Sequence, residues 1–273
     1  MKEDLSVFHM HDYYPGFAKK GSLEYFRILD NFKRAILSAD LIIACSEALL
    51  EEARALGRTD AKLVDNGVDY DKVVSGLGAP IPFELAGLPR PIVGHIGRIN
   101  RKLEMDAISR MARERPDWSV VLIGPRTGWP DEYERRFQAL LTIPNVHYLD
   151  GRGWDELPAY FNALDVGLMA YYTEGTWMAY GSPLKVWEYF SIGKPVVSAD
   201  VLTLRKYPGL LHLVPSGGDW SGAVEAAIKG DTAELRQQRQ ALARQHGWDS
   251  RAQLIEEFIS DALTTKVGHQ QHD

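Results

Sequence analysis

Lys185 and Glu188 are the residues whose types and spacing most directly suggest chemistry in this chain. They stand in the stretch GSPLKVWEYFSIGKPVV, which runs from Gly181 to Val197. Ser182 is suited to cap a helix there, and Pro183 to open it, because a missing N–H costs nothing at the first position and the fixed φ already fits. The first turn, near Leu184 and Lys185, then offers unpaired N–H groups and the positive end of the helix dipole, and the lysine adds a mobile cation. Phosphate oxygens fit such a seat. Glu188 follows Lys185 by three residues, so the two share a helix face roughly 5 Å apart along the axis. An ionised glutamate one turn below a diphosphate can accept both hydrogen bonds of a ribose 2′,3′-diol. The pattern suggests a helix that grips a nucleoside diphosphate; a solvated Lys–Glu pair, common on helices, is the alternative reading at this point.

Further candidates fall where strands are expected to end. In PIVGHIGRINRK, Gly94 and Gly97 let backbone approach a ligand, while Arg98 and Lys102 can neutralise phosphate. This is not a dinucleotide fingerprint, which needs three glycines at G-x-G-x-x-G spacing and an acid ending the next strand; that strand ends instead at Gly124-Pro125. His11 and Asp12 close the first apolar run, a place where side chains of open α/β sheets tend to be functional, although a single strand-end histidine can equally be structural. His9 and His11 lack a third ligand, so no metal site is expected. Tyr171, Tyr172, Trp177 and Tyr180 crowd the loop before the central helix, where aromatic faces either stack on sugar rings or pack against the core, and Glu174 is the loop's one carboxylate.

The elements that must position these groups alternate regularly. Leu5 to Met10 reads as a buried strand, Ser22 caps a helix to about Leu37, LIIAC is a short buried strand, and Ser46 caps a helix ended by Gly57. Glycines and prolines break the text from residue 76 to 90, a linker. Apolar strands and amphipathic helices then alternate through PIVGHIG, WSVVLIG, NVHYL, DVGLMA, PVVSA and LLHLV, predicting a Rossmann-like parallel sheet of about six strands with both faces covered. The expected division is an α/β portion over 1–75, the linker over 76–90, the Rossmann-like domain over 91–247, and a C-terminal helix with a frayed tail over 248–273.

Composition excludes several classes. With 273 residues, 45% hydrophobic and 25% charged, the chain is long enough for one large or two smaller folded domains. Its formal net charge of −6 argues against a general nucleic-acid binder. One cysteine, Cys45, leaves no disulfide framework and reads as a buried, inert thiol. No apolar run reaches the ~20 residues of a bilayer span and no signal peptide is seen, so a cytoplasmic protein is expected.

Lys185, Glu188, Tyr189, Ser191, Gly193, Pro195, Val196 and Val197 together resemble the donor-domain signature of the retaining nucleotide-sugar glycosyltransferases of the GT-B fold, family 4. The order ADLIIACSEALLEEA followed by LVDNGVD resembles the end of that family's acceptor domain. The resemblance implies that Glu188 holds the ribose, that Pro183, Leu184 and Lys185 hold the diphosphate, and that Gly97 and Arg98 assist, with Lys102 about one residue from the usual lysine. It implies that the loop at Arg152 meets the nucleobase edge, chiefly through backbone, and that His11, with Asp12, faces the donor sugar. The last helix crosses back onto the first domain in that family. The substrate implied is a UDP or GDP sugar, the acceptor a glycan or lipid-linked molecule, with no cofactor or metal and with peripheral contact at the inner face of the membrane. Tyr180 departs from the pattern, since a second glutamate usually stands there against the donor sugar. The portion ahead of the linker is also shorter than the family's acceptor domain, which keeps open a nucleotide-sugar-binding module completed by a partner chain or a second copy.

Overall fold

Serine hydroxyls start the first two helices where the sequence places them. In the computed structural model, which describes residues 3–128, 131–173 and 177–270, Ser22 Oγ accepts from the Tyr25 N–H at 3.1 Å and Ser46 Oγ from the Leu49 N–H at 3.2 Å. These caps open α1 (Leu23–Ser38) and α2 (Glu47–Ala55), which follow β1 (Val7–Met10) and β2 (Leu41–Ala44); β3 (Lys62–Leu63) completes the group. The strands form a parallel sheet in the order β1-β2-β3, with Val7 opposite Leu41 and Ile43 opposite Lys62. Alternation sends Met10, Ile42 and Ala44 to one face, against Phe32, Ile36 and Leu49 of the helices. β1 was expected to be buried, yet Val7 is 40% exposed and only Met10 of the strand is buried. The reason is position: β1 is an edge strand, and no described strand pairs with its outer side.

The chain divides into two compact units, one of residues 1–67, 175–182 and 246–273, the other of residues 68–174 and 183–245. In the second, Asp69 caps α3 (Tyr70–Val74), and α4 (Phe83–Ala86) follows. The stretch 76–90 is therefore folded rather than a free linker. Gly76 lies so close to Pro158 that an added methyl would overlap its carbonyl, and Glu84 is bonded to Arg152 at 2.9 Å. Proline and glycine stop long elements, but they do not prevent side chains from tying a loop down.

Beyond it come β4 (Ile92–Ile96), α5 (Met105–Glu114), β5 (Ser119–Ile123), α6 (Asp131–Leu141), β6 (Val146–Leu149), α7 (Leu157–Ala163), β7 (Val166–Met169), α8 (Leu184–Ser191), β8 (Val196–Ala199), β9 (His212–Val214), α9 (Trp220–Lys229) and α10 (Ala233–Gln245). All six strands are parallel, in the order β6-β5-β4-β7-β8-β9, and β4, β5, β7 and β8 are buried throughout. This is the doubly covered sheet that near-continuous Val/Ile/Leu strands require. In the first unit, α11 (Trp248–Gln270) lays Ile255, Phe258, Ile259 and Ala262 over Leu41, Ile43 and Val64, the other face of the small sheet. No helix of the described residues is long and apolar enough to cross a membrane.

Candidate functional site

The chain runs outward from β4 to β6, then returns to place β7 on the other side of β4, so β4 and β7 flank the point where strand order reverses. Ligands of open α/β sheets collect beside the carboxyl ends of such strands. Ladder pairing between these two is short, Val93 with Val166 and Gly94 with Gly167. Beyond it, side chains take over. Tyr189 of α8 accepts from the Ile96 N–H at 3.0 Å and donates to the Gly94 carbonyl at 3.1 Å. His95 Nδ1 stands 3.1 Å from the Leu168 carbonyl. The imidazole is 1% exposed, and burial, then the charge of Lys185, lower its pKa to about 3. The ring faces the Leu168 carbonyl through Nδ1 and also meets the backbone of Arg98. Tyr189 was legible in the sequence only as a member of the donor-domain signature, with no role of its own, and His95 not at all; an imidazole within an apolar run was the available signal.

Gly97 ends β4 at φ +142° and Gly124 ends β5 at φ +144°, a region closed to other residues. A methyl at Gly124 would overlap the Gly97 carbonyl, and one at Gly97 would overlap the ammonium of Lys185. Thus Lys185 crosses from the first turn of α8 to lie over the end of β4. Arg98, the next residue, is exposed and makes no ion pair among the described residues. One turn down α8, Glu188 Oε2 lies 3.9 Å from Lys185 Nζ, with the glutamate side chain 14% exposed. Oε2 accepts no hydrogen bond, and burial, partly offset by Lys185, raises the carboxyl pKa above its ordinary value. A buried acceptor left unpaired is costly and is relieved by a ligand donor. Gly97, Arg98, Pro183, Leu184, Lys185 and Glu188 are therefore brought together.

The helix start differs in detail from expectation. Pro183 is itself the N-cap, with φ −67° and ψ 117°, and no side chain caps the first turn. Ser182 lies one residue outside, where its Oγ accepts from the Asn66 N–H at 3.4 Å and its carbonyl from Asn66 Nδ2 at 2.8 Å. The amides of the first turn are thus left to solvent or ligand.

Other expected residues are placed differently. Lys102 is half-buried on a turn where its N–H donates to Asn100 Oδ1 at 3.0 Å and its carbonyl accepts from the Tyr172 N–H at 2.9 Å. The guanidinium of Arg152 is committed to Glu84, to the Tyr160 hydroxyl at 2.9 Å and to the Asp150 carbonyl. It braces the loop, leaving the nucleobase expectation to the backbone of Gly151–Gly153. Tyr171 is 7% exposed, its ring edge-on to His95. Tyr180 stacks on Tyr13 at 4.2 Å, and its carbonyl accepts from Ser46 Oγ at 2.7 Å. For these two tyrosines, core packing prevails over an open sugar platform. Glu174 lies outside the described residues. His11 and Asp12 end β1 in the first unit; the His11 ring is 3.8 Å from that of His9, and its carbonyl accepts from Cys45 Sγ at 3.1 Å. Burial pushes the Cys45 thiol up to about 12, which keeps it protonated.

A family model described as "Glycosyl transferases group 1" matches residues 90–229, about half of the chain. The chain belongs to the group 1 glycosyl transferases. A curated Bacillus subtilis (strain 168) protein named for teichuronic acid biosynthesis, TuaH, is 30% identical over 79% of this chain and 55% of its own length. A D-inositol 3-phosphate glycosyltransferase of Mycobacterium sp. (strain KMS) is 26% identical over 75% of this chain and 48% of its own length. The chain thus spans about half the length of these curated relatives. Two solved structures share the fold: Anabaena HepE, in complex with UDP and glucose, at a TM-score of 0.70 and 22% identity over 93% of this chain and 71% of that one, and the Thermosynechococcus elongatus sucrose-phosphate synthase at 0.69 and 19% over 95% and 68%. The Rossmann-like α/β sheet expected from the strand pattern, and the GT-B type implied by the resemblance, are the fold of this group 1 member.

Proposed function

We propose that this chain transfers a sugar, with retention, from a UDP- or GDP-linked donor to a glycan or lipid-linked acceptor in cell-envelope polysaccharide assembly. The carrying observation is the placement of Lys185 over Gly97 with the unpaired oxygen of Glu188 one turn away. The diphosphate would lie against the uncapped first turn of α8, between Arg98 and Lys185, and the ribose diol would donate to Glu188. As the glycosidic bond breaks, negative charge grows on the leaving diphosphate, and these cations with the helix dipole stabilise it. Support comes from the teichuronic acid name of TuaH and the UDP and glucose held by HepE. His11 and Asp12, at a strand end, are the proposed donor-sugar contacts, and the work would be done at the inner face of the membrane.

Calorimetry with UDP, GDP and ADP, followed by turnover of a panel of nucleotide sugars, tests this reading. One nucleotide should bind in the micromolar range, and its sugar should be transferred or slowly hydrolysed. Absence of binding by all three would end the proposal. A second reading, a donor-binding module completed by another chain or a second copy, is favoured by the outer edge of β1, which no strand among the described residues pairs. Binding without turnover, with activity restored on adding a partner, would select it.

A further inference from the structure

We infer that His95 is a positioning residue for Arg98: it ties the backbone that carries this arginine to the end of β7, and so fixes where the guanidinium meets a diphosphate. The inference deepens the proposed function and rests on that reading only for the anion. On its β5 side the loop after β4 is held by backbone. The Gly97 N–H donates to the Ile123 carbonyl at 2.7 Å, the Ile99 N–H donates to the Pro125 carbonyl at 3.0 Å, and the Ile99 carbonyl accepts from the Thr127 N–H at 3.2 Å. On the β7 side the ladder stops at Gly94 and Gly167. There the imidazole of His95 reaches both ways, lying 3.1 Å from the Leu168 carbonyl and meeting the backbone of Arg98. A side chain thus continues what the ladder leaves off.

The setting suits such a tie. The ring is buried and edge-on to Tyr171 at 5.8 Å between centroids, and burial, then the charge of Lys185, lowers its pKa to about 3, so it stays neutral. A packed, hydrogen-bonded side chain holds its neighbours to a narrow geometry. Arg98 is exposed and makes no ion pair among the described residues, so its backbone sets where the long side chain starts. A guanidinium displaced from its anion loses paired, charge-assisted bonds.

Amide hydrogen exchange of the unliganded chain and a double-mutant cycle on UDP affinity, read by calorimetry, test the inference. His95→Phe keeps a ring against Tyr171 and removes both polar contacts. It should speed exchange of the Ile99 amide by about ten-fold or more while β5 keeps its protection, and should weaken UDP binding about ten-fold. Arg98→Ala should weaken binding by a similar factor, and the double variant by no more than about two-fold beyond Arg98→Ala alone. Circular-dichroism melts check folding, and His95→Leu, equally unable to bond, is the second variant. Single losses that multiply to about a hundred-fold overturn the inference, as does coupling of His95→Phe to Lys185→Ala and not to Arg98→Ala. Wild-type Ile99 exchange in both His95 variants overturns it by itself, since exchange is read without nucleotide. A wild-type chain that binds none of UDP, GDP and ADP would end the donor reading and leave the tie to the exchange result.

Discussion

The ammonium of Lys185 occupies the space that a side chain at Gly97 would need. Two segments far apart in sequence, the end of β4 and the start of α8, thereby meet at one place, the proposed diphosphate site. Gly97→Ala should displace the lysine and strain the backbone at φ +142°. UDP affinity should fall at least ten-fold, and stability by about 1–3 kcal/mol; calorimetry and urea unfolding read the two effects, and wild-type affinity in the variant would disconnect Lys185 from the ligand.

Glu188 separates stability from function. Its folded-state pKa is raised, first by burial, so the folded chain holds that proton more tightly than the unfolded one. The group's stabilising contribution is present below the ordinary glutamate value of 4.5 and is lost as pH rises through the folded value. Glu188→Gln should therefore melt at or above the wild-type temperature at pH 8, while Glu188→Ala weakens UDP binding by about 1–3 kcal/mol. Unchanged affinity in the alanine variant would remove Glu188 from the ribose site.

His95 has the opposite sign. Its pKa is about 3 in the folded chain against an ordinary 6.5, so the unfolded chain takes up the proton more readily. The stabilisation is full above about pH 6.5 and declines as pH falls toward 3, by a few kcal/mol over the window. In His95→Asn, whose amide can still donate to the Leu168 carbonyl, the slope of unfolding free energy between pH 6.5 and 4 should flatten. An identical slope would show that other groups govern acid unfolding.

Tyr189→Phe removes one hydroxyl that serves two backbone groups, Ile96 N–H and Gly94 C=O. With both buried, the loss should be about 1–3 kcal/mol, read by urea unfolding. A loss below about 0.5 kcal/mol would mean that water or β7 replaces the phenol.

Arg152→Met tests whether the bracing role assigned to this side chain is its whole role. The ratio of UDP to GDP affinity should be unchanged, since the guanidinium is spent on Glu84 and Tyr160. A changed ratio would return Arg152 to the nucleobase.

By itself, the sequence determined the local chemistry: serine caps on α1 and α2, Gly193 at φ +74° closing α8, and apolar runs that can be stable only as covered parallel strands. It also determined that Lys185 and Glu188 share one face of a helix, because three residues of α-helix dictate it. Tertiary structure alone decided what those groups meet. Lys185 rests on Gly97 because β4 and α8 converge at the reversal of strand order, a relation across nearly ninety residues that no local period encodes. The same holds for Tyr180, drawn onto Tyr13, and for Arg152, drawn onto Glu84. Polar and aromatic side chains have several satisfactory partners, and only the folded backbone brings one of them within hydrogen-bonding or stacking distance.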